Sequence, residues 1–240
     1  MDGSTIDWLL SGDPAVRWQT MQSLADRAPS TVKRERSKVA RQGWGARLLA
    51  EQGSDGRWGD GLYSPKWTST TYTLLLLERL GLPDANRAAA EGTLLLVDAG
   101  LAEHGGITFW PSRPEGEACV TGMVLKLTSR FLPHHDARDR IVAHLTDRQL
   151  PDGGWNCQDV NGATHSSLHT TITVLEGLAA ARRVGSDGCD RLMTAGNEFL
   201  FAHHLYRSHT TGEVISPAMT RFSFPPRWWF DVLRGLDYLQ

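Results

Sequence analysis

The chain has 240 residues, 40% of them hydrophobic and 22% charged, with a formal net charge of −2. That length buries a sizeable core as one large domain or two small ones, and the near-neutral charge argues against a general nucleic-acid binder. No apolar run approaches the roughly 20 residues that span a bilayer, so no transmembrane segment is expected. Residues 1–10 lack the basic and long apolar regions of a signal peptide. Three cysteines, an odd number, do not make a disulfide framework. Reduced thiols and a cytoplasmic location are expected. Along the chain, "SGDPAVRW" reads as a helix start, with Asp13 as N-cap and Pro14 at the first helical position. The run "KRERSK" within residues 33–38 reads as a solvated face.

From there the chain repeats one plan: an amphipathic, charged helix, a Gly/Pro/Asp-rich loop, then an apolar helix. The charged helices are "TVKRERSKVARQGWGARLLAEQ", "DANRAAAEGTLLLVDAGL", "DARDRIVAHLTDRQL" and "CDRLMTAGNEFLFAHHL". Ile141, Leu145 and Leu150 show their helical spacing. The apolar helices are "TYTLLLLERLGL", "CVTGMVLKLTSRF", "HTTITVLEGLAA" and "WWFDVLRGLDYL", anchored by Leu77, Leu125, Leu175 and Leu233. A weaker first copy, "VRWQTMQSLAD", has Leu24 at the anchor. Strand signals are weak. The expected fold is all-α: a single domain over 1–240 with repeats near 14–27, 30–82, 84–132, 136–182 and 189–239.

Two loops carry the same phrase, Gln-x-x-Asp-Gly-x-Trp: "QGSDGRW" from Gln52 to Trp58 and "QLPDGGW" from Gln149 to Trp155. Gly56 and Gly153 suit a left-handed turn after a helix. The Trp then folds back on the helix ends, and the Gln side chain bonds backbone groups at a helix terminus. On these residues the motif is structural. It resembles the Gln/Trp repeat of squalene–hopene cyclases and related terpenoid cyclases, found in looser form in protein prenyltransferase β-subunits. The resemblance covers residues from about 14 to the end. It implies an α/α toroid, about five inner helices ringed by five outer ones around an apolar cavity, and a small isoprenoid substrate. Such rings usually hold about six hairpins. This one is therefore small or open, or is completed by a second copy, a partner or further chain.

The Asp-x-Asp-Asp acid of class II cyclases is missing from the sequence. The prenyltransferase resemblance instead implies zinc, held by a carboxylate-x-Cys pair and a later His-Thr. Glu117-Ala118-Cys119 and His169-Thr170 match that pattern, with Glu in place of Asp and Val120 where an aromatic residue often follows. Cys119 and His169 hold equivalent repeat positions. A competing set joins Cys119 and Cys157 with one or both of His165 and His169, a Cys2His or Cys2His2 combination at least as well suited to zinc. Against both stands the plain alternative of buried thiols and a hydrogen-bonded histidine. Cations for a diphosphate group would come from Arg113, Arg207, His209, Arg221 and Arg227. Trp67, Trp110, Trp228 and Trp229 are candidate walls for a prenyl tail. The functional expectation is a cyclase- or prenyltransferase-like enzyme. The alternative is a non-catalytic toroid module for binding or assembly.

Overall fold

A computed structural model describes residues 3–240. Met1 and Asp2, at the start of the expected domain, lie outside the described residues. Among the described residues there is no strand, only the isolated bridges Leu101–Ile107 and Arg207–Val214. The fold class is all-α, as expected. The chain divides into two compact units, Met1–Leu95 and Leu96–Gln240.

The first unit holds α1 (Gly3–Leu10), α2 (Pro14–Ser23), α3 (Pro29–Arg36), α4 (Gly43–Ala50) and α5 (Thr70–Arg79). Asp13 caps α2 as expected: its Oδ1 accepts from the Ala15 amide at 2.9 Å. Its Oδ2 accepts from the Trp44 amide at 2.8 Å. That second bond explains why the predicted outer helix over residues 31–52 breaks. The chain passes through a 3-10 turn, Ser37–Ala40, and restarts at Gly43, whose φ of 66° is left-handed. A Cβ at Gly43 would stand 2.0 Å from Asp13 Oδ2, so only glycine lets the helix restart against the cap.

α6 (Arg87–Gly100) crosses the boundary between the units. The second unit continues with α7 (Ala118–Phe131), α8 (Ala137–Asp147), α9 (Leu168–Arg183), α10 (Cys189–Ala202) and α11 (Val232–Leu239). Gly122 and Gly177 bring the backbones of α7 and α9 together. A Cβ at Gly177 would lie 2.5 Å from the Gly122 carbonyl oxygen. The anchors Leu77, Leu125 and Leu175 are fully buried. Leu24 and Leu233 are not, at 43% and 45% exposed. Leu24 stands at the C-cap of α2, and α11 turns Arg234 and Gly235 inward instead of Leu233.

The Gln/Trp phrase has the same geometry in both copies. Gln52 Nε2 donates to the carbonyls of Gly56 and Ala88, at 2.8 and 3.0 Å. Gln149 Nε2 donates to Gly153 and Leu192, at 2.8 and 3.1 Å. Each glutamine thus ties its loop to the first turn of a later helix, α6 or α10. Trp58 and Trp155 donate from Nε1 to Leu48 and Leu145, near the ends of α4 and α8. Each indole sits where that helix has a glycine, Gly92 or Gly196, beside a leucine of α5 or α9, Leu74 or Leu175. The turn glycines are left-handed, at φ 80° and 94°.

A third, degenerate copy occupies residues 101–107, "LAEHGGI". The backbone bonds repeat one for one. Ala102 N donates to Gly106 O at 2.9 Å, as Gly53 does to Arg57 and Leu150 to Gly154. Gly105 has φ 90°. Ile107 replaces the tryptophan, and its amide donates to Thr121 Oγ1, as Trp58 does to Thr70 and Trp155 to Thr171. His104 replaces the aspartate: Nδ1 accepts from the Gly106 amide at 3.1 Å, and Nε2 donates to Pro114 O at 3.0 Å. His144 on α8 completes the pair, Nδ1 to Nδ1 at 3.3 Å, and must donate because His104 Nδ1 already accepts.

Burial, with His104 beside it, holds His144 below the usual histidine pKa. The depressed folded-state value means that the unfolded chain binds the extra proton first. Stability is therefore full above the ordinary histidine range and falls as pH drops through it toward the folded value. Urea midpoints are expected to decrease from pH 7.5 to 5.5, and less steeply in His144→Gln. Parallel profiles would remove this role.

Candidate metal centre

The centre is built from two segments of the second unit. Glu117 is the N-cap of α7, in extended conformation, and its carbonyl accepts the Thr121 amide at 2.9 Å. Cys119 follows in the first turn, 8% exposed. Cys157 lies in the loop between α8 and α9. That loop leaves Trp155, whose carbonyl accepts from Ser167 N at 2.9 Å. Arg148 pairs with Asp159 at 2.7 Å across its short 3-10 turn. Asp152 accepts from the backbone and hydroxyl of Ser166. The Gln/Trp turn and these bonds set where Cys157 stands.

Ligand atoms of Glu117, Cys119 and Cys157 all lie within 4.8 Å of one another. Glu117 divides its carboxylate: Oε1 accepts from Arg113, and Oε2 faces Cys119 Sγ at 3.9 Å. Thr170 supports Cys157 from α9. Its Oγ1 accepts the Cys157 amide and stands 3.3 Å from Sγ, so its proton is available to the sulfur. The neighbouring Cys157 thiol raises the Cys119 pKa well above the usual value, and burial and the Glu117 charge add to this. The adjacent Cys119 and Thr170 lower that of Cys157. Cys189, pushed up to about 11 by burial, belongs elsewhere, at the start of α10.

Two thiols and a carboxylate suit zinc, a cation that accepts sulfur and oxygen donors together and leaves a fourth position open in three-ligand sites. A bound cation would stabilise both thiolates and release their protons. The predicted histidines are not part of this group. His169 Nδ1 accepts from the Phe230 amide at 2.7 Å. Burial and nearby Arg234 keep its ring neutral by lowering its pKa. The proton then sits on Nε2, and neither nitrogen has a lone pair for a metal. His165 is exposed, beside Thr164.

The remaining candidates separate. Arg113 serves the centre directly, by holding Glu117. Trp228 and Trp229 stack 3.8 Å apart and set their rings edge-on to His169, at 5.4 and 5.5 Å. Trp110 packs on Phe109. Arg207 donates to Gly212 O and lies over Tyr206, and His209 bonds His203 at 3.0 Å. Arg221 and Arg227 are exposed. Trp67 belongs to the first unit, where it borders a cleft of about 450 Å³ with Leu48, Trp58 and Leu76. The His169-Thr170 pair marks Thr170 in the sequence, but only as the partner of His169; its contact with Cys157 is not encoded there. No family model, curated protein or solved structure gives a significant match to the chain.

Proposed function

We propose that this chain is a zinc protein of the terpenoid-cyclase/prenyltransferase type, acting on an isoprenoid or similar apolar substrate. The observation that carries the reading is the convergence of Glu117, Cys119 and Cys157 from two separate segments, the start of α7 and the loop before α9. The Gln/Trp turns that position the second segment support the same reading. In it, Cys119 and Cys157 bind the metal as thiolates and Glu117 supplies the oxygen. Arg113 keeps that carboxylate charged and oriented, and Thr170 fixes the Cys157 sulfur. Zinc supplies Lewis acidity and lowers the pKa of a group bound at its open position. Trp228 and Trp229 offer aromatic faces to an apolar chain near His169.

The test has two steps. Reduced protein, stripped with a chelator and reloaded, is expected to retain about one zinc per chain. Cobalt substitution should give a thiolate charge-transfer band. Cys119→Ser and Cys157→Ser should lose both signals, and Thr170→Val should weaken zinc roughly 10–100-fold, as supporting groups around metal ligands typically do. Protein that takes up no zinc, or cysteine variants that keep it, would sink the proposal. Incubation with farnesyl and geranylgeranyl diphosphates then separates an enzyme from a module. Diphosphate release lost in Cys157→Ser marks catalysis, and binding without release marks a non-catalytic carrier.

A further inference from the structure

Cys119 and Cys157 stand side by side, and neighbouring thiols react with each other as well as with metals. Their sulfurs lie within 4.8 Å, and both cysteines carry free thiols. A disulfide needs the sulfurs about 2.0 Å apart. Closing the gap therefore takes a movement below about 3 Å, which a change of rotamer supplies.

The backbone holds the two residues close. α7 and α9 run side by side in the same direction: Gly122 meets Val174, and one turn on Leu125 meets Gly177. A Cβ at Gly122 would stand 2.8 Å from the Val174 Cα. Cys119 lies one turn before Gly122 and Thr170 one turn before Val174, so the two share a level. Thr170 Oγ1 accepts the Cys157 amide at 3.3 Å. Cys157 is thus fixed against the same helix pair that carries Cys119. Access from solvent is unequal. Cys157 is half-buried, whereas Cys119 is 8% exposed and Cys189 only 1%. A reagent from solution reaches Cys157 first, and Cys119 is the thiol placed to displace what it leaves there. Cys189, at the start of α10, is outside the cluster.

We infer that Cys119 and Cys157 are a site of reversible oxidation by a low-molecular-weight disulfide such as oxidised glutathione, and that closing their bond discharges the metal. Release of the metal rests on the zinc reading; formation of the disulfide does not. In the first step the Cys157 sulfur attacks one sulfur of the glutathione disulfide. A mixed disulfide forms on Cys157, and one glutathione leaves as a thiol with the Cys157 proton. In the second step the Cys119 sulfur attacks the Cys157 sulfur and expels the other glutathione, which takes the Cys119 proton. The two cysteines give up two electrons and two protons, and one glutathione disulfide becomes two thiols. With zinc bound, the metal departs and the two protons come from water. The product offers no thiolate. Of the three ligands only Glu117 remains, still held by Arg113, and one carboxylate is far short of the three or four ligands of a protein zinc site. A dithiol reductant reverses the change.

Intact mass and zinc release test it together. Metal-free wild type treated with oxidised glutathione is expected to lose two hydrogens in mass, to keep no glutathione, and to yield a cross-linked peptide joining Cys119 to Cys157. Dithiothreitol should restore both thiols. Zinc-loaded protein should react at least about tenfold more slowly, since the metal holds both sulfurs, and should release one zinc for each disulfide, read with a chromogenic chelator. Cys119→Ser should stop at the glutathione adduct on Cys157, and Cys189→Ser should behave as wild type. Wild type that keeps the adduct, stays reduced, or cross-links through Cys189 overturns the inference, and so does oxidised protein that retains its zinc. Protein that forms the Cys119–Cys157 bond but takes up no zinc sinks the metal centre alone and confirms the oxidation site, so the two failures are told apart.

Discussion

Trp155→Ala is expected to destabilise the second unit by about 3–5 kcal/mol, the range for deleting a large buried aromatic side chain. Three contributions point the same way. The indole is 0% exposed and lies against Leu175 of α9 and the bare backbone at Gly196 of α10, so its loss opens a cavity between helices. Its Nε1 also satisfies the Leu145 carbonyl at 2.8 Å near the end of α8. Finally, the residue begins the loop that carries Cys157. Trp155→Phe fills part of the cavity but leaves the Leu145 carbonyl without its donor, and should cost roughly 1–3 kcal/mol. Trp58→Ala should match Trp155→Ala in size, because Leu48, Leu74 and Gly92 repeat the same surroundings. Chemical denaturation of the three variants checks the order. A Trp155→Ala loss below about 1 kcal/mol would mean that the motif is not the staple its geometry implies.

The parts of the fold that are legible in the sequence are those set by local chemistry. Asp13 before Pro14, the left-handed glycines Gly56 and Gly153, and the folded-back tryptophans are each dictated within a few residues, and each appears where expected. The third turn is hidden because the side chains that identify it are replaced: Leu101 for glutamine, Ile107 for tryptophan. Its backbone bonds persist because Gly105 persists. Aligning leucines gives α5 and α7 a spacing of 48 residues, whereas the hydroxyls that bond the motif backbone, Thr70 and Thr121, are 51 apart. Apolar positions on a helix are interchangeable by a turn, and a threonine bonded to one amide is not. The centre was half legible for a similar reason. Glu117, Cys119 and Cys157 were named, and they meet. His169 shares the repeat position of Cys119 but differs in function. Its proton is fixed by the Phe230 amide, 61 residues later in the chain, and no local pattern encodes that contact.

The same distant segment supplies the last large effect. Arg234→Met is expected to cost about 3–5 kcal/mol, the usual penalty for removing one partner of a buried ion pair. Arg234 grips Glu176 with two nitrogens, at 2.8 and 3.1 Å, and also donates to Trp229 O and Thr173 Oγ1. Lys126 stands 3.4 Å from the same carboxylate and should keep the loss toward the lower end of the range. Glu176→Gln/Arg234→Met removes the charge that the single variant strands, so it should recover much of the stability. That recovery distinguishes a desolvated charge from a simple loss of packing. The helical register links the network to the metal centre. His169, Thr173 and Glu176 follow one stripe of α9, and Cys119, Met123 and Lys126 the matching stripe of α7. The ions therefore lie two turns, about 10 Å, below the ligand level. Arg234 also helps to hold His169 below the usual histidine range, so the Arg234→Met ring should become more basic. An NMR titration of His169 reads this directly. An unmoved His169 in a folded variant would mean that burial alone keeps the ring neutral, and that the buried ions hold α11 in place without acting on the ring beside the centre.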